Sequence, residues 1–265
     1  MTNGESLDRE PYYVRAAERV LQVIRAFDAE HPSQTLSDIA TTTGLTRATA
    51  RRLLLTLQDL GYASSEGRLF TLTPRVLQLG YAYLSSMSLV EIARPHLRAL
   101  ARELSETASL TVLDGDEIVY LDLATSSRLS SIQISVGTRF RAHTTSMGRV
   151  LLAGLPDEQI EGYLKRLEQY RRSERTVRPI DDLRHEIAET AKRGWATVDQ
   201  ELEEGLRGVA VPVRDQQRKV VAAVNVSAHA ARKTIADLAE IYVPAIRNSV
   251  AQIEAGLVGY RPRHS

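Results

Sequence analysis

A short run of arginine and threonine side chains is the part of the sequence best suited to contact a polyanion. Apolar residues recur at helical spacing between residues 47 and 60, so the intervening polar side chains share the outward face of one helix. Such a helix fits the DNA major groove, where arginines reach phosphates and base edges. Residues 46–75 carry five arginines against two acids, a net charge of +3, whereas the whole chain has a formal charge of +1. The predicted contacts to double-stranded DNA are Thr46, Arg47, Thr49, Arg51, Arg52 and, in the following hairpin, Arg68. The alternative is that these arginines form an ordinary solvated surface.

A second set of polar residues lies later in the chain and suits a small organic acid. Ser146-Met147-Gly148 opens a helical pattern after a strand and loop, so its backbone amides could receive a carboxylate. Asn225 and Ser227 alternate on one face of a predicted strand and could bind a second polar group, such as a phenol or a ketone. The alternatives are that Thr145 or Ser146 is only a helix cap and that the strand face is a solvent-facing edge.

Two acids and several neighbouring side chains complete this candidate site. Asp199 and Glu201 share a strand face, and they either contact the same ligand or hold Arg207. Met147, Leu206 and Val224 are candidate walls, although Val224 alternates away from Asn225 and could belong to the core. Candidate countercharges for an acidic ligand are Arg139, Arg141 and Arg149.

A catalytic site is the alternative to these binding sites. His143, Ser146 and Asp199 could be imagined as a catalytic triad, but the residues before Ser146 lack the first glycine of a nucleophile elbow. No P-loop occurs, and the His185-Glu186 pair lacks a second histidine at metal-ligand spacing. We therefore predict no catalytic residues, no metal site and no cofactor.

Composition narrows the class of protein further. The 265 residues are 43% hydrophobic and 25% charged, which is typical of a globular chain long enough for one large domain or two. Cysteine is absent, which excludes disulfides and thiolate chemistry. No apolar run has the length of a membrane span, and the first residues lack the order of a secretory signal, so a cytoplasmic protein is expected.

The elements that position the cationic helix follow one another in residues 14–75. The pattern predicts three helices, at residues 14–27, 35–44 and 47–60, with Thr35 and Thr46 as caps and Gly44 and Gly61 as terminators. Two short strands then flank a turn at Glu66-Gly67. This order is that of a winged helix-turn-helix.

From residue 76 a linker helix and a second helix are expected, with Pro95 in a first turn. An apolar stripe, Val90, Leu97 and Leu104, and the linker face around Val76, Leu79 and Tyr83 are expected to be left partly open for oligomerisation. Beyond residue 107, strands are predicted at residues 108–113, 117–123, 131–136, 195–200, 207–213 and 219–227. Helices are predicted at residues 146–153, 157–167, 181–193 and 234–257, the last interrupted at Pro244. Strand runs and hairpins without strict alternation indicate an α+β fold.

The chain resembles the IclR-type transcriptional regulators over residues 14–257. Residues 19–24 (RVLQVI), 36–40 (LSDIA), 53–57 (LLLTL) and 60–62 (LGY) are similar to that family's DNA-binding domain. Residues 143–153 (HTTSMGRVLLA) and 198–213 (VDQELEEGLRGVAVPV) are similar to its effector-binding domain. These segments are most similar in sequence to the branch of the family that regulates protocatechuate, 4-hydroxybenzoate and β-ketoadipate breakdown.

This resemblance implies an architecture and a set of partners. The expected organisation is a winged helix-turn-helix in residues 14–75, a linker helix in residues 76–90 and a GAF-like mixed-sheet effector-binding domain in residues 91–257. The expected function is a DNA-binding regulator that forms a homodimer or tetramer and responds to a small organic acid of aromatic catabolism. The alternative is a small-molecule-processing enzyme with an appended DNA-binding-like subdomain. The resemblance implies effector contacts at Ser146, Met147, Gly148, Asp199, Glu201, Leu206, Gly208, Asn225 and Ser227.

Overall fold

The chain divides into two compact units. The computed structural model describes residues 13–79, 88–125, 134–171 and 179–258. Backbone contacts separate residues 1–83 from residues 84–265. The predicted linker helix at residues 76–90 lies partly outside the described residues: a short 3₁₀ turn, Pro74–Val76, continues as helix to residue 79, and the description resumes at residue 88.

The first unit consists of three helices and a three-stranded antiparallel sheet. Its polar caps fix where the helices begin, because Thr35 and Asp38 form a reciprocal capping box and Thr46 caps the third helix. Gly44 ends the second helix at a φ of 67°, a left-handed conformation that favours glycine. The sheet has the strand order β1-β3-β2. The elements are α1 Arg15–Arg25, β1 Ser33–Thr35, α2 Leu36–Thr43, α3 Arg47–Asp59, β2 Ala63–Glu66 and β3 Leu69–Leu72.

The apolar periodicity of the first unit correctly predicts its core. Val23, Ile39 and Leu54 are fully buried and pack against one another across the three helices. Leu60 is the exception: it is the last apolar residue in the helical pattern of residues 47–60, whose spacing predicts that it faces inward, but it is 53% exposed because it lies at the C-cap of α3, beyond the last packed turn. The sequence did not predict β1, and the wing turn lies one residue later than expected, since Glu66 still pairs with Leu69.

The second unit is built on a six-stranded sheet with the order β6-β5-β4-β9-β8-β7. All of its described strand pairs are antiparallel, so the expectation of a mixed sheet was wrong. Hairpins join β4 to β5 and β8 to β9, which makes those neighbours antiparallel, and β4 and β9 then meet at the centre. The strands are β4 Thr107–Asp114, β5 Glu117–Ala124, β6 Arg139–Arg141, β7 Ala196–Asp199, β8 Leu206–Arg214 and β9 Val220–His229.

Helices cover both faces of this sheet. On one face Leu97 of α4 and Ile246 of α9 pack against strand residues such as Val224. On the other, Leu152 of α5 and Ile187 of α7 pack in the same cluster as Tyr120 and Ala210. The helices are α4 Ser88–Leu104, α5 Ser146–Leu152, α6 Asp157–Arg171, α7 Ile180–Arg193, α8 Ile235–Asp237 and α9 Val243–Val258.

Two prolines lie within helical runs of the second unit, and one of them differs from its prediction. Pro95 lies inside α4 rather than in a first turn, and burial of Val90, Leu97 and Leu100 on the sheet keeps the helix continuous around it. Val90 and Leu97 are only 4% and 1% exposed, so they are not available for oligomerisation as predicted. The helix predicted over residues 234–257 is interrupted next to Pro244, as expected: a π-helical segment, Leu238–Tyr242, separates two α-helical segments, and Pro244 lies in the first turn of the second, where a missing N–H costs little.

The strand expected at residues 131–136 is not found as predicted. Residues 131–133 lie outside the described part of the chain, and residues 134–136 are not in a strand. Arg139–Arg141 forms β6 instead and pairs with β5 at the edge of the sheet. Within the described residues, no helix has both the length and the apolarity that a membrane span needs.

Candidate functional sites: a cationic helix and a buried cavity

Helix α3 presents a row of arginines that have no partner within the described part of the chain. Arg47, Arg51 and Arg52 are exposed, and their guanidinium groups make no ion pair or hydrogen bond with other described residues. The inward side of the same helix is held by Ala50, Leu54 and Leu57, which are buried. Free cations on the outer face of a well-anchored helix are suited to a polyanionic partner.

Thr46 and Thr49, at the start of α3, hydrogen-bond to each other as part of the helix cap. The Thr46 hydroxyl oxygen accepts a hydrogen bond from the Thr49 amide at 3.2 Å. The Thr46 hydroxyl also donates to the Thr49 side-chain oxygen at 2.9 Å. Thr46 therefore fixes the beginning of the helix, whatever it contacts outside the protein.

Arg68 lies in the turn of the β2–β3 hairpin. The residue is exposed, and Gly67 beside it has a φ of 60°, the conformation that the tight turn requires. Ser64 and Thr71 face each other across the two strands with their side-chain oxygens 2.8 Å apart, which ties the hairpin together. The hairpin thus presents at its end a cation, Arg68, that has no partner among residues 13–79 or the other described ranges.

In the second unit a small cavity of about 20 Å³ lies between the start of α5 and the sheet, within a wider, partly solvent-open space of about 310 Å³. Apolar side chains and neutral polar groups line it, and none of the described lining residues is charged. It contains six of the nine predicted effector contacts, namely Ser146, Met147, Leu206, Gly208, Asn225 and Ser227. The sequence therefore predicted that the start of α5 and strand β9, which are far apart along the chain, lie close together. The remaining lining residues are Tyr120, Thr144, Thr145, Val198 and Leu202.

Two polar atoms in this cavity have no hydrogen-bond partner among the described residues. The Ser146 side chain is 0% exposed and Asn225 is 1% exposed, yet Ser146 Oγ and Asn225 Oδ1 are unpaired. The Asn225 amide Nδ2 donates to Ser227 Oγ at 3.1 Å, which orients the amide group. Burying such groups unpaired costs about 1–3 kcal/mol each, so they mark a place where a ligand could supply the missing bonds.

Thr145 caps helix α5 at this site, and its side chain binds the backbone amide of Gly148. Thr145 Oγ1 accepts from the Gly148 amide at 3.0 Å, so that amide is not available to a ligand. A Cβ on Gly148 would lie 1.9 Å from the Ala142 carbonyl oxygen. Gly148 is therefore required for close packing of α5, and it does not line the cavity as predicted.

The two predicted acids are engaged in ion pairs instead of lining the cavity. Asp199 accepts two hydrogen bonds from Arg207, at 2.7 and 3.2 Å, and this bond holds the pKa of Asp199 below its usual value. Glu201 pairs with Arg149. Neither carboxylate is among the lining residues, because each is turned toward its arginine. The effector role predicted for these two residues stays a prediction that the cavity lining does not support.

The candidate countercharges are likewise not part of the lining. Arg149 has a side chain only 3% exposed and donates to the carbonyl oxygens of His143 and Thr197 at 3.3 and 3.2 Å, besides its pair with Glu201. Arg139 pairs with Asp114 and Glu117 at 2.7 and 2.8 Å. Neither these arginines nor Arg141 line the cavity.

Sequence reasoning missed several cavity residues, of which Tyr120 is the largest. It lies in β5, is 2% exposed, and its ring packs edge-on to Phe140 with centroids 6.1 Å apart. Burial raises the pKa of the Tyr120 hydroxyl, which therefore stays protonated at neutral pH. The alternation of β5 indicates a buried face, but nothing in the sequence shows that this face meets α5. Val224, the proposed wall, belongs to the core on the opposite face of the sheet.

The residues of the imagined triad do not assemble. The His143 ring nitrogen Nδ1 lies 2.9 Å from the Tyr163 hydroxyl, Asp199 pairs with Arg207, and Ser146 Oγ has no partner. Among the described residues, no cluster of three or more His, Cys, Asp or Glu side chains could hold a metal ion.

A winged helix-turn-helix with free cations, followed by an α+β unit with a ligand cavity, defines a DNA-binding transcriptional regulator with an effector domain. Residues 16–67 match the model of the IclR helix-turn-helix domain. Residues 81–255 match the model described as bacterial transcriptional regulator IclR C-terminal. The chain belongs to the IclR family, a family of transcriptional regulators rather than enzymes, and the resemblance inferred from sequence is confirmed.

Individual relatives share most of the chain. The Pca regulon regulatory protein of Pseudomonas putida is 42% identical over 89% of this chain and 81% of its own. The crystal structure of a transcriptional regulator from Rhodococcus sp. RHA1 is 48% identical, has a TM-score of 0.82, and is matched over 93% of this chain and 99% of its own. An IclR homologue from Microbacterium hydrocarbonoxydans, complexed with 4-hydroxybenzoate, is 23% identical with a TM-score of 0.79 over 92% and 100% of the two chains, and shows the shared fold.

Proposed function

We propose that this regulator senses a small organic acid of the protocatechuate, 4-hydroxybenzoate or β-ketoadipate class and controls genes of aromatic-acid catabolism. The observation that carries the proposal is the cavity in which Ser146 Oγ and Asn225 Oδ1 are buried without partners. Walls such as Met147 and Leu206 suit an apolar ligand body, and the unpaired atoms suit its polar groups. The name of the Pseudomonas relative and the ligand of the Microbacterium homologue favour this class of acid.

The DNA partner is proposed to be a palindromic operator bound by α3 and the wing. One α3 helix covers a single half-site, so a homodimer or tetramer is needed to read both halves. Val14, at the N-cap of α1, and Leu21, within α1, are 64% and 55% exposed, which agrees with further association. The proposed domain limits are residues 14–75 for the DNA-binding domain, 76–90 for the linker helix and 91–257 for the effector-binding domain. Sedimentation at micromolar concentration should show no monomer, and a monomer would contradict the two-half-site arrangement.

Calorimetric titration of the full chain with each of the three acids tests the effector proposal. We expect at least one acid to bind, and we expect Ser146→Trp, which fills the cavity, to abolish that binding. Arg166→Ala changes an exposed side chain in the same unit and serves as the control. If no acid binds, or if Ser146→Trp binds normally, the proposed effector site is wrong.

A further inference from the structure

The cavity of the second unit is nearly closed in this structure. Its enclosed part of about 20 Å³ has room for about one water molecule. A small-molecule site buries about 70–90% of its ligand's surface, and the closed-off space is too small to bury a benzoate ring to that extent. Part of the lining must therefore move when an aromatic acid binds. The lining comes from the sheet, from residues 144–147 at the start of α5, and from the β7–β8 connection.

The β7–β8 loop, residues 200–205, is the least anchored of these walls. All of its residues are exposed or half-buried, whereas every residue of α5 is buried. Hydrogen bonds tie the loop to its own hairpin: the Gln200 amide donates to the Leu206 carbonyl oxygen and the Gly205 amide to Gln200 Oε1, both at 2.9 Å. The loop begins and ends at left-handed residues, Gln200 with a φ of 58° and Gly205 with a φ of 83°. It is thus a compact unit that covers the cavity with Leu202.

One buried arginine joins this loop to the opposite wall. The Arg149 side chain, in α5, is 3% exposed and pairs with Glu201 of the loop. Its guanidinium group also donates to the carbonyl oxygen of His143, just before the α5 wall, at 3.3 Å, and to that of Thr197 in β7 at 3.2 Å. Arg149 does not line the cavity itself, but it bridges the two segments that do.

The chemistry of this ion pair suits a closure that can open. Carbonyl oxygens satisfy the donors of Arg149 but not its charge, and a buried charge without a counterion is costly. Among the described residues, Glu201 is the only acid paired with Arg149. The Glu201 side chain is 32% exposed, so its carboxylate stays hydrated if the loop swings outward. The pair therefore favours the closed loop and can still be broken without burying an unpaired carboxylate.

We propose that residues 200–205 form a gate through which the effector enters and leaves the cavity, and that the Arg149–Glu201 ion pair is the latch that holds the gate closed. This proposal rests on the proposed function, since it concerns the same cavity. Opening moves Leu202 away from the cavity, while Ser146 and Asn225 keep their places on α5 and the sheet. Arg149 is a positioning residue, because it acts through the loop and does not touch the ligand.

Matched neutral variants of the full chain test the latch. Glu201→Gln and Arg149→Met each remove one charge of the pair, and their combination removes both. Asp199→Asn is the control, because it neutralises an acid of the same hairpin whose partner, Arg207, lies on the neighbouring strand rather than on α5. Hydrogen exchange followed by mass spectrometry reports the opening of residues 200–205, and thermal unfolding shows whether each variant is folded. Glu201→Gln changes the more exposed partner, so the test does not depend on the folding of Arg149→Met.

The exchange measurement needs no ligand. Exchange in residues 200–205 should be about tenfold or more faster in Glu201→Gln and in Arg149→Met than in the wild type, because each change leaves one charge of the pair without its partner. The combined variant should exchange no faster than the faster single variant, as expected for two groups that act as one pair. Asp199→Asn should exchange at the wild-type rate.

Ligand kinetics distinguish a gate from a damaged cavity. The probes are 4-hydroxybenzoate, protocatechuate and β-ketoadipate, and surface plasmon resonance with the immobilised full chain gives both rate constants. A weakened latch increases the fraction of time for which the loop is open. Association and dissociation should therefore both become faster by similar factors in Glu201→Gln, and Kd should stay nearly constant.

Three results would overturn the proposal. Unchanged exchange in the folded Glu201→Gln variant would show that the pair does not hold the loop. Equal release of the loop by Asp199→Asn would show that the contact with α5 has no special role. Faster dissociation combined with slower association would show that the pair shapes the cavity instead of gating it. If the loop is released as expected but none of the three acids binds the wild type, the latch stands and the proposed class of effector is wrong.

Discussion

The arginines of the two units differ in what surrounds them. In the first unit, Arg47, Arg51, Arg52 and Arg68 are exposed and have no partner among the described residues. Many arginines of the second unit are paired with carboxylates. These pairs join Arg94 to Asp122, Arg139 to Glu117, Arg149 to Glu201, Arg166 to Asp116, Arg184 to Glu161, Arg193 to Glu186 and Arg207 to Asp199.

The two units differ in the chemistry of the polar groups that have no partner among the described residues. In the first unit the unpaired groups are exposed cations, which suit the phosphates of DNA. In the second unit two unpaired groups that are buried and neutral, at Ser146 and Asn225, line the cavity and suit one small molecule. Both candidate sites therefore contain polar groups that have no partner among the described residues.

The largest expected effect comes from removing free cations. Arg51→Ala combined with Arg52→Ala should weaken operator binding, because each lost base contact costs about 1–3 kcal/mol and each lost phosphate contact lowers affinity for all sequences. Binding measured against salt concentration separates the two kinds of contact, since a lost phosphate contact reduces the salt slope by about 1.

The control for this prediction uses two paired arginines of the second unit. Arg166 and Arg184 are also largely exposed, with side chains 57% and 43% accessible, but each is paired with an acid. Changing both to alanine should leave operator affinity unaltered. If the two double variants weaken binding equally, the distinction between free and paired arginines has no functional meaning.

A smaller effect separates packing from ligand contact at the start of α5. Gly148→Ala should lower the free energy of unfolding by about 1–3 kcal/mol, because the new methyl collides with the Ala142 carbonyl. Gly162→Ala in α6 is the matched change: its Cβ would lie 3.4 Å from the end of the Arg166 side chain, and alanine should stabilise the helix by up to about 1 kcal/mol. Denaturant unfolding of both variants gives the comparison, and an unaffected Gly148→Ala would refute the packing role.

The smallest effect concerns a paired carboxylate. Because Arg207 lowers the pKa of Asp199 in the folded protein, the pair stabilises the fold above the unfolded pKa, and this contribution disappears as pH falls through the folded pKa. The melting temperature of Asp199→Asn should therefore lie below that of the wild type at neutral pH, and the gap should close below about pH 4. A gap that is constant with pH would mean that the Asp199 charge contributes nothing.

Local signals in the sequence predicted most of the first unit. Caps such as Thr35 and Thr46, and terminators such as Gly44, act within a few residues, so their effects can be read without knowing the fold. Leu60 was misplaced because periodicity alone does not show where packing against neighbours ends.

The cavity was predicted less completely, for a physical reason. Strand alternation placed Asn225 and Ser227 on one face, and this was correct. Tyr120 and Leu202 reach the cavity only because strands and loops distant in the chain meet there, which no local pattern reveals. For Asp199 and Glu201 the sequence left open a ligand contact or a pair with Arg207; Asp199 pairs with Arg207, whereas the partner of Glu201, Arg149, lies far away in the chain and could not be predicted.

The central claim is that filling the cavity changes the affinity of α3 for DNA, and it is tested by measuring operator affinity with and without saturating 4-hydroxybenzoate. A regulator of this kind should show a change of about 5–150-fold, and operator DNA should change the affinity for the acid by the same factor. Identical operator affinities in the presence and absence of an acid that binds the cavity would contradict the account, because a ligand with equal affinity for both states shifts nothing.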